Sequence, residues 1–435
     1  MASILNIAKS QAKANDPYEE TTLLAMWKAS ADIGVKCTCA SFSPMADYLA
    51  VGTDDGATAI MSPKNGKMIS RLGTSYTKPS QSLMSALNDN GRGMAMCLKF
   101  FPAGGKPKVR VALSTGKIEC FDIKTGSSNA VNTVEGQTLA MDYSSDGKWY
   151  AAGGQDTQTA EQRGHAVRLY DDASSKLVRP LEGDACNPGH SNRISCVRFR
   201  GANQLASASL DGTVKLWSTG SKDPIFTFPA SKEQGGGSHA EGYFEVAGNS
   251  VDFNGDYMLV GSARPHKHLL VYDLRMNRLV SEVFWRRMKP SASKAQQKWN
   301  LAKIAHLQKS NILSASFVDG GKIVAGGTGS NTVKVFTPNK PSPNPPYPVN
   351  EGAEDESLTL RELYSAVASI QLPAAIMGID VSSRPVIKAG DMIGDGPDKT
   401  PAKEDMKIMA IATSDGNVYG VKLPRDLPQH MMPVL

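Results

Sequence analysis

Four residues in one short stretch carry side chains able to do chemistry: His190, Ser207, Asp211 and Trp217. A histidine and an aspartate brought together can ligate a metal or move a proton. A structural role is preferred here, because a buried aspartate or indole nitrogen must find a hydrogen-bond partner and these residues can supply one another's. A second constellation is FWRRMKPSASKAQQKWNLAKIAHLQK at 284–309, which is dense in basic residues and nearly free of acids. Basic residues interleaved with aromatics can follow a phosphate backbone and stack bases. The same pattern also suits a connecting segment, helical over 294–307, whose apolar residues cover a sheet edge while its lysines stay solvated. Trp285, Arg286, Arg287, Lys289, Lys294 and Lys298 are its candidate partner contacts. No phosphate-loop spacing, His-Glu-x-x-His, Gly-x-Ser-x-Gly or Cys-His arrangement occurs, so no catalytic residue, metal or cofactor is expected.

The elements that position these residues follow from local pattern. Residues 189–217 read GHSNRISCVRFRGANQLASASLDGTVKLW. Three short apolar runs, Ile194 to Phe199, Gln204 to Ser209 and Thr213 to Trp217, are separated by turn residues, which is the grammar of antiparallel strands. Asp211-Gly212 is expected to supply the positive φ angles of a tight two-residue hairpin. Weaker copies recur, and a period of roughly 40 residues signals a propeller. The blades fall at about 37–72, 95–131, 138–181, 189–228, 249–285, 312–370 and 375–423. The last has only three strands, and a bare edge would pair with other chains. The apolar segment 21–29, TTLLAMWKA, is expected to supply the missing strand as a clasp, with a helix as its alternative. Residues 1–17 and 427–435 read as tails around a propeller spanning 18–426.

The stretch from Gly189-His190 through SASLDG to Trp217 resembles a WD-repeat, and the likeness covers nearly the whole chain at family level. The resemblance implies an all-β, seven-bladed WD-repeat-like propeller in which His190, Ser207, Asp211 and Trp217 form a hydrogen-bonded chain. Other blades depart from the signature, blade one closing on Ile60 or Met61 instead of Trp. The LLVYDLR run of blade five is similar to the Trp/Tyr-Asp-x-Arg signature of WD-repeat receptors of cullin-type ubiquitin ligases. That makes Tyr272, Asp273 and Arg275 candidates for contact with a ligase adaptor; pairing of Arg275 with Asp273 is the local alternative.

Composition agrees with a single all-β domain: 40 Gly among 435 residues supply many tight turns, and hydrophobic residues make up 40%. No run approaches the length of a membrane span, and no secretion core follows the start. The six cysteines lack zinc or disulfide spacing and read as reduced core thiols in an intracellular protein. Long inserts near 73–93, 155–164, 230–248 and 286–310 join strands on one face, with 338–356 and 383–404 on the other. Inserts of this length are functional or disordered. The expectation is a non-enzymatic scaffold, monomeric within a larger cytoplasmic assembly, that docks one or more proteins through its insert-rich face. Alternatives are an RNA-associated propeller in a processing particle, a cytoskeletal or ciliary assembly factor, and a ligase substrate receptor.

Overall fold

The computed structural model describes residues 20–32, 34–73, 93–102, 107–133, 136–156, 165–228, 244–263, 268–283, 285, 311–339, 364–393, 400–402 and 405–423. Among them the chain makes seven antiparallel blades, six with four strands and blade six with five. The first strands are Cys37–Phe42, Ala95–Phe100, Gly136–Tyr143, Ile194–Arg200, Val251–Asn254, Asn311–Val318 and Ile376–Val381. Each lies against the first strand of the next blade, and Ile376–Val381 returns to Cys37–Phe42, so the ring is closed. The core lies between blades: the cluster of Val324, Val335, Val367, Ile379 and Ile411, for example, fills the space between blades six and seven.

Closure is made by the N-terminal segment, as strand and not as helix. Ala25–Ser30 runs antiparallel to Asn417–Lys422 and becomes the outer strand of blade seven. Trp27 lies flat across Gly420 and Gly66, where an added Cβ would sit 2.1 Å and 2.5 Å from its ring. Its indole nitrogen donates to the carbonyl of Pro63 in blade one at 3.0 Å. Thr21–Thr22 adds a short parallel strand to the edge of blade six, with Leu23 buried in the seam and Lys334 paired with Glu20. The strap therefore laces three blades together.

Two expectations are corrected. The turn at Asp211 is not a two-residue hairpin with paired positive φ angles. Ser209 N donates to Thr213 O at 3.1 Å and Gly212 N to Ser209 O at 3.2 Å, and only Gly212, at φ 86°, is left-handed. That is a three-residue loop ending in a glycine bulge, which leaves Asp211 free to aim its carboxylate inward. In the insert of blade seven, expected to be functional or disordered, the described residues are ordered and fold back as cover. Val386, Ile387, Ala402 and Met406 are buried against Phe42, Ala46 and Met61 of blade one. Ser383 Oγ donates to Pro44 O at 3.0 Å, and Lys64 pairs with Asp391 at 2.8 Å.

Within each blade, the first strand starts and the second ends on one face, here called upper. The connections 74–92, 157–164, 229–243 and 286–310 join strand ends on that face; they and 340–363 lie outside the described residues, as do both predicted tails.

Deleting residues 1–30 strips the edge of Asn417–Lys422. The truncated protein is expected to melt at lower temperature and to self-associate, measured by calorimetry and size-exclusion chromatography. An unchanged melt would remove the strap from the closure.

Candidate functional site

The structure brings His190, Ser207, Asp211 and Trp217 together. His190 Nδ1 lies 2.8 Å from Asp211 Oδ2, and His190 Nε2 lies 2.7 Å from Ser207 Oγ. The Trp217 indole nitrogen donates to the same Ser207 oxygen at 2.7 Å. Asp211 also accepts from the amides of Ser191 and Thr213 and from the Thr213 hydroxyl. Burial alone would raise its carboxyl, but the hydrogen bond and charge of His190, with the Thr213 bonds, hold it down to about 2. His190, Ser207 and Trp217 are buried, so every strong donor and acceptor is turned inward and none faces a ligand. The chain pins the second and third strands of blade four to the segment entering it. No group of His, Cys, Asp and Glu able to hold a metal ion occurs among the described residues.

The predicted partner contacts separate. Trp285 is 4% exposed and belongs to the core between blades five and six, with Leu259, Val271, Ile312 and Phe336. Its ring sits 5.9 Å from that of Phe336, with Lys334 Nζ 5.7 Å from the Trp285 ring. As a contact for a partner it is therefore corrected: its large apolar surface is spent on closing the seam. Arg286, Arg287, Lys289, Lys294 and Lys298 lie outside the described residues. In blade five, Tyr272 is buried, whereas the Arg275 side chain is 59% exposed and held by Asp273 through bonds of 2.6 Å and 3.1 Å.

What sequence reading missed is the axis of the ring. Six first strands carry a register shift at the same place, between Cys37 and Cys39, Ala95 and Cys97, Thr138 and Ala140, Ile194 and Cys196, Ile312 and Ser314, and Ile376 and Gly378. Such a bulge re-aims side chains. Thr38, Met96, Leu139, Ser195 and Met377 line a central cavity of about 70 Å³, along with Cys39, Cys97, Cys196 and Asn249. Below this collar, the residues preceding Phe42, Phe100, Tyr143, Phe199, Phe253, Phe317 and Val381 form one tier: Ser41, Lys99, Asp142, Arg198, Asp252, Ser316 and Asp380.

The tier ties blade to blade. The amide of Phe199 donates to Asp142 at 2.8 Å, that of Phe317 to Asp252 at 2.8 Å and that of Phe42 to Asp380 at 2.7 Å. Arg198 Nε meets Asp252 at 2.9 Å and its Nη1 lies 3.9 Å from Asp142, which Lys99 approaches to 3.5 Å. The attraction of Asp252, then that of Asp142, outweighs burial and raises Arg198 further above its ordinary value. The remaining joints use Ser314, bonded both ways to Ile379 at 3.2 Å, and Thr38 with Cys39, which donate to Ala95 O. Burial pushes the Cys39 thiol up to about 12, so it acts as a neutral donor and not as a thiolate nucleophile. The sequence signal was available in the charged residue just before the aromatic of four first strands, Lys99-Phe100, Asp142-Tyr143, Arg198-Phe199 and Asp252-Phe253.

Trp217→Ala is expected to cost about 3 to 5 kcal/mol in denaturant titration, from lost burial and cavity formation. Asp211 has a depressed carboxyl in the folded state, so its contribution is present above its ordinary 3.8 and is lost as pH falls through about 2. The stability advantage of the native chain over Asp211→Asn should therefore shrink across that window, and a constant difference would contradict the ionised assignment.

A family model described as WD domain, G-beta repeat matches residues 185–218, the stretch that holds the hydrogen-bonded chain of blade four. No curated protein matches the chain. No helix among the described residues is long and apolar enough to cross a membrane.

Proposed function

We propose that this chain, a member of the WD-repeat propeller family by its matched repeat and its ring of seven blades, is a protein-interaction scaffold that works without catalysis as one subunit of a larger assembly. The observation that carries the reading is the ring itself. Its blades are joined side chain to backbone at the axis and strapped at the rim, and the long connections 74–92, 157–164, 229–243 and 286–310 all join strand ends on the upper face. A stiff base with four such connections joining strand ends of the upper face, against 340–363 and the blade-seven insert on the lower, suits recognition, because connections carry function when a scaffold positions them.

The basic connection after Trp285 is the favoured contact. Arg286, Arg287, Lys289, Lys294 and Lys298 concentrate positive charge there, which suits an acidic protein surface. RNA or a polyanionic filament such as tubulin would meet the same charges. Native affinity purification of the chain and of an Arg286→Glu, Arg287→Glu variant, with and without nuclease, separates these outcomes. Proteins that survive nuclease and disappear from the variant are expected, with an unchanged melting temperature. Loss of all partners on nuclease treatment would replace the scaffold with an RNA-bound role.

A second reading draws on Arg275. Its guanidinium is presented on the lower face by the bidentate hold of Asp273, an arrangement that fits a recognition arginine. In the ligase-receptor reading an adaptor should appear among the purified proteins and be lost in Arg275→Ala; adaptor recovery unchanged by that substitution would end it.

A further inference from the structure

The axial tier is one positive charge short. Lys99 and Arg198 face Asp142, Asp252 and Asp380. Lys99, Asp142, Arg198 and Asp252 form a continuous ionic chain across blades two to five. Asp380 stands outside it. Its two oxygens accept only backbone amides, from Phe42 at 2.7 Å and from Val381 at 3.0 Å, and among the described residues it makes no ion pair. The tier positions on either side of it, in blades six and one, are Ser316 and Ser41, which carry no charge. Asp380 is half-buried, and a carboxylate partly withdrawn from water with amides but no cation keeps part of its desolvation cost. Burial pushes its carboxyl above the ordinary value, the field of Lys99 and Arg198 offsetting this only in part.

The cavity in the channel reaches this gap. Of the tier, only Lys99 and Asp380 line it, so they form its floor, while Met96, Leu139 and Met377 stand above them. The walls are mixed: Met96, Leu139 and Met377 offer soft apolar surface that adapts to the shape of what it touches, and Thr38, Ser195 and Asn249 offer polar groups beside them. Lys99 is already committed to Asp142, which leaves Asp380 as the acceptor at the floor.

We propose that this gap is a socket for one cationic side chain, a lysine or arginine of a protein partner, entering from the upper face with its stem along Met96, Leu139 and Met377 and its head at Asp380. The charge of the tier selects a cation, and the small cavity admits a narrow unbranched stem. The proposal rests on the scaffold reading and names what a partner would insert at the axis of the upper face, whose strand ends the connections 74–92, 157–164, 229–243 and 286–310 join. Because the cation neutralises a half-buried carboxylate and not a fully solvated one, the contact should resist salt better than the basic connection does.

The test titrates the full chain with n-butylguanidinium and n-butylammonium chloride by calorimetry, with butanol and tetramethylammonium chloride as uncharged and unstemmed controls. Saturable binding of a stemmed cation, and of neither control, is expected. Asp380→Asn keeps an oxygen for the Phe42 amide and should weaken that binding about tenfold or more. Ser41→Lys places a lysine where blade two carries Lys99; it should abolish probe binding and raise the melting temperature by satisfying Asp380 from within. Absence of binding to the native chain, equal binding by Asp380→Asn, or a Ser41→Lys variant that still binds would overturn the socket. Partner recovery in the nuclease experiment is independent of these probes, so the socket can fail while the scaffold stands.

Discussion

Everything in this ring depends on satisfying polar groups where seven first strands converge. Their inward edges cannot pair with another strand, and their amides are crowded away from water, where an unmet donor or acceptor costs about 1 to 3 kcal/mol. The chain meets that constraint with side chains from the neighbouring blade. Asp142, Asp252 and Asp380 each take an amide from the blade that follows, and Arg198 spans two of these acids. The axis is thus a set of joints between sheets, and the carboxylates that make them are held in place by the same backbone they bond.

Closure adds a second demand, because a ring joined only at its axis would leave the outer edge of blade seven open. The strap of residues 20–30 meets it by serving three blades, with Trp27 covering the seam to blade one and Leu23 filling the seam to blade six. The folded insert of blade seven covers the lower side of that seam. The region where the two ends of the chain meet is thereby held by the strap on one side and by the insert on the other. The closure itself lies inside blade seven, where the strap pairs with Asn417–Lys422 through hydrogen bonds alone before the chain runs on into blade one.

The fold was legible wherever a local rule set the outcome. Asp211 and Gly212 mark a turn from two residues, and the missing fourth strand of the last blade pointed to residues 21–29 before any coordinates. Sequence reading failed where the outcome depends on which blades meet. Trp285 sits beside a run of basic residues and reads as part of that surface, yet it is the lid of a hydrophobic seam whose other wall, Phe336, is 51 positions away (336 − 285). The tier was hidden for the same reason: Lys99, Asp142 and Arg198 are unremarkable singly and acquire meaning only when the ring sets them side by side. The parallel pairing of Thr21 and Thr22 with blade six had no signal, being two residues long and of a type common in any strand.

The most direct measurement of the central claim is cross-linking mass spectrometry on the chain purified natively with whatever it binds, since lysines lie in turns of the lower face and in connections that join strand ends of the upper. Lys78, Lys232, Lys289, Lys294 and Lys298 belong to connections that join strand ends of the upper face, and Lys64, Lys67, Lys124, Lys148 and Lys176 lie in turns of the lower. A scaffold that docks partners through its upper face predicts that links to other proteins concentrate on the first set and are sparse on the second. Links confined to the second set, or no links to any other protein, would contradict it.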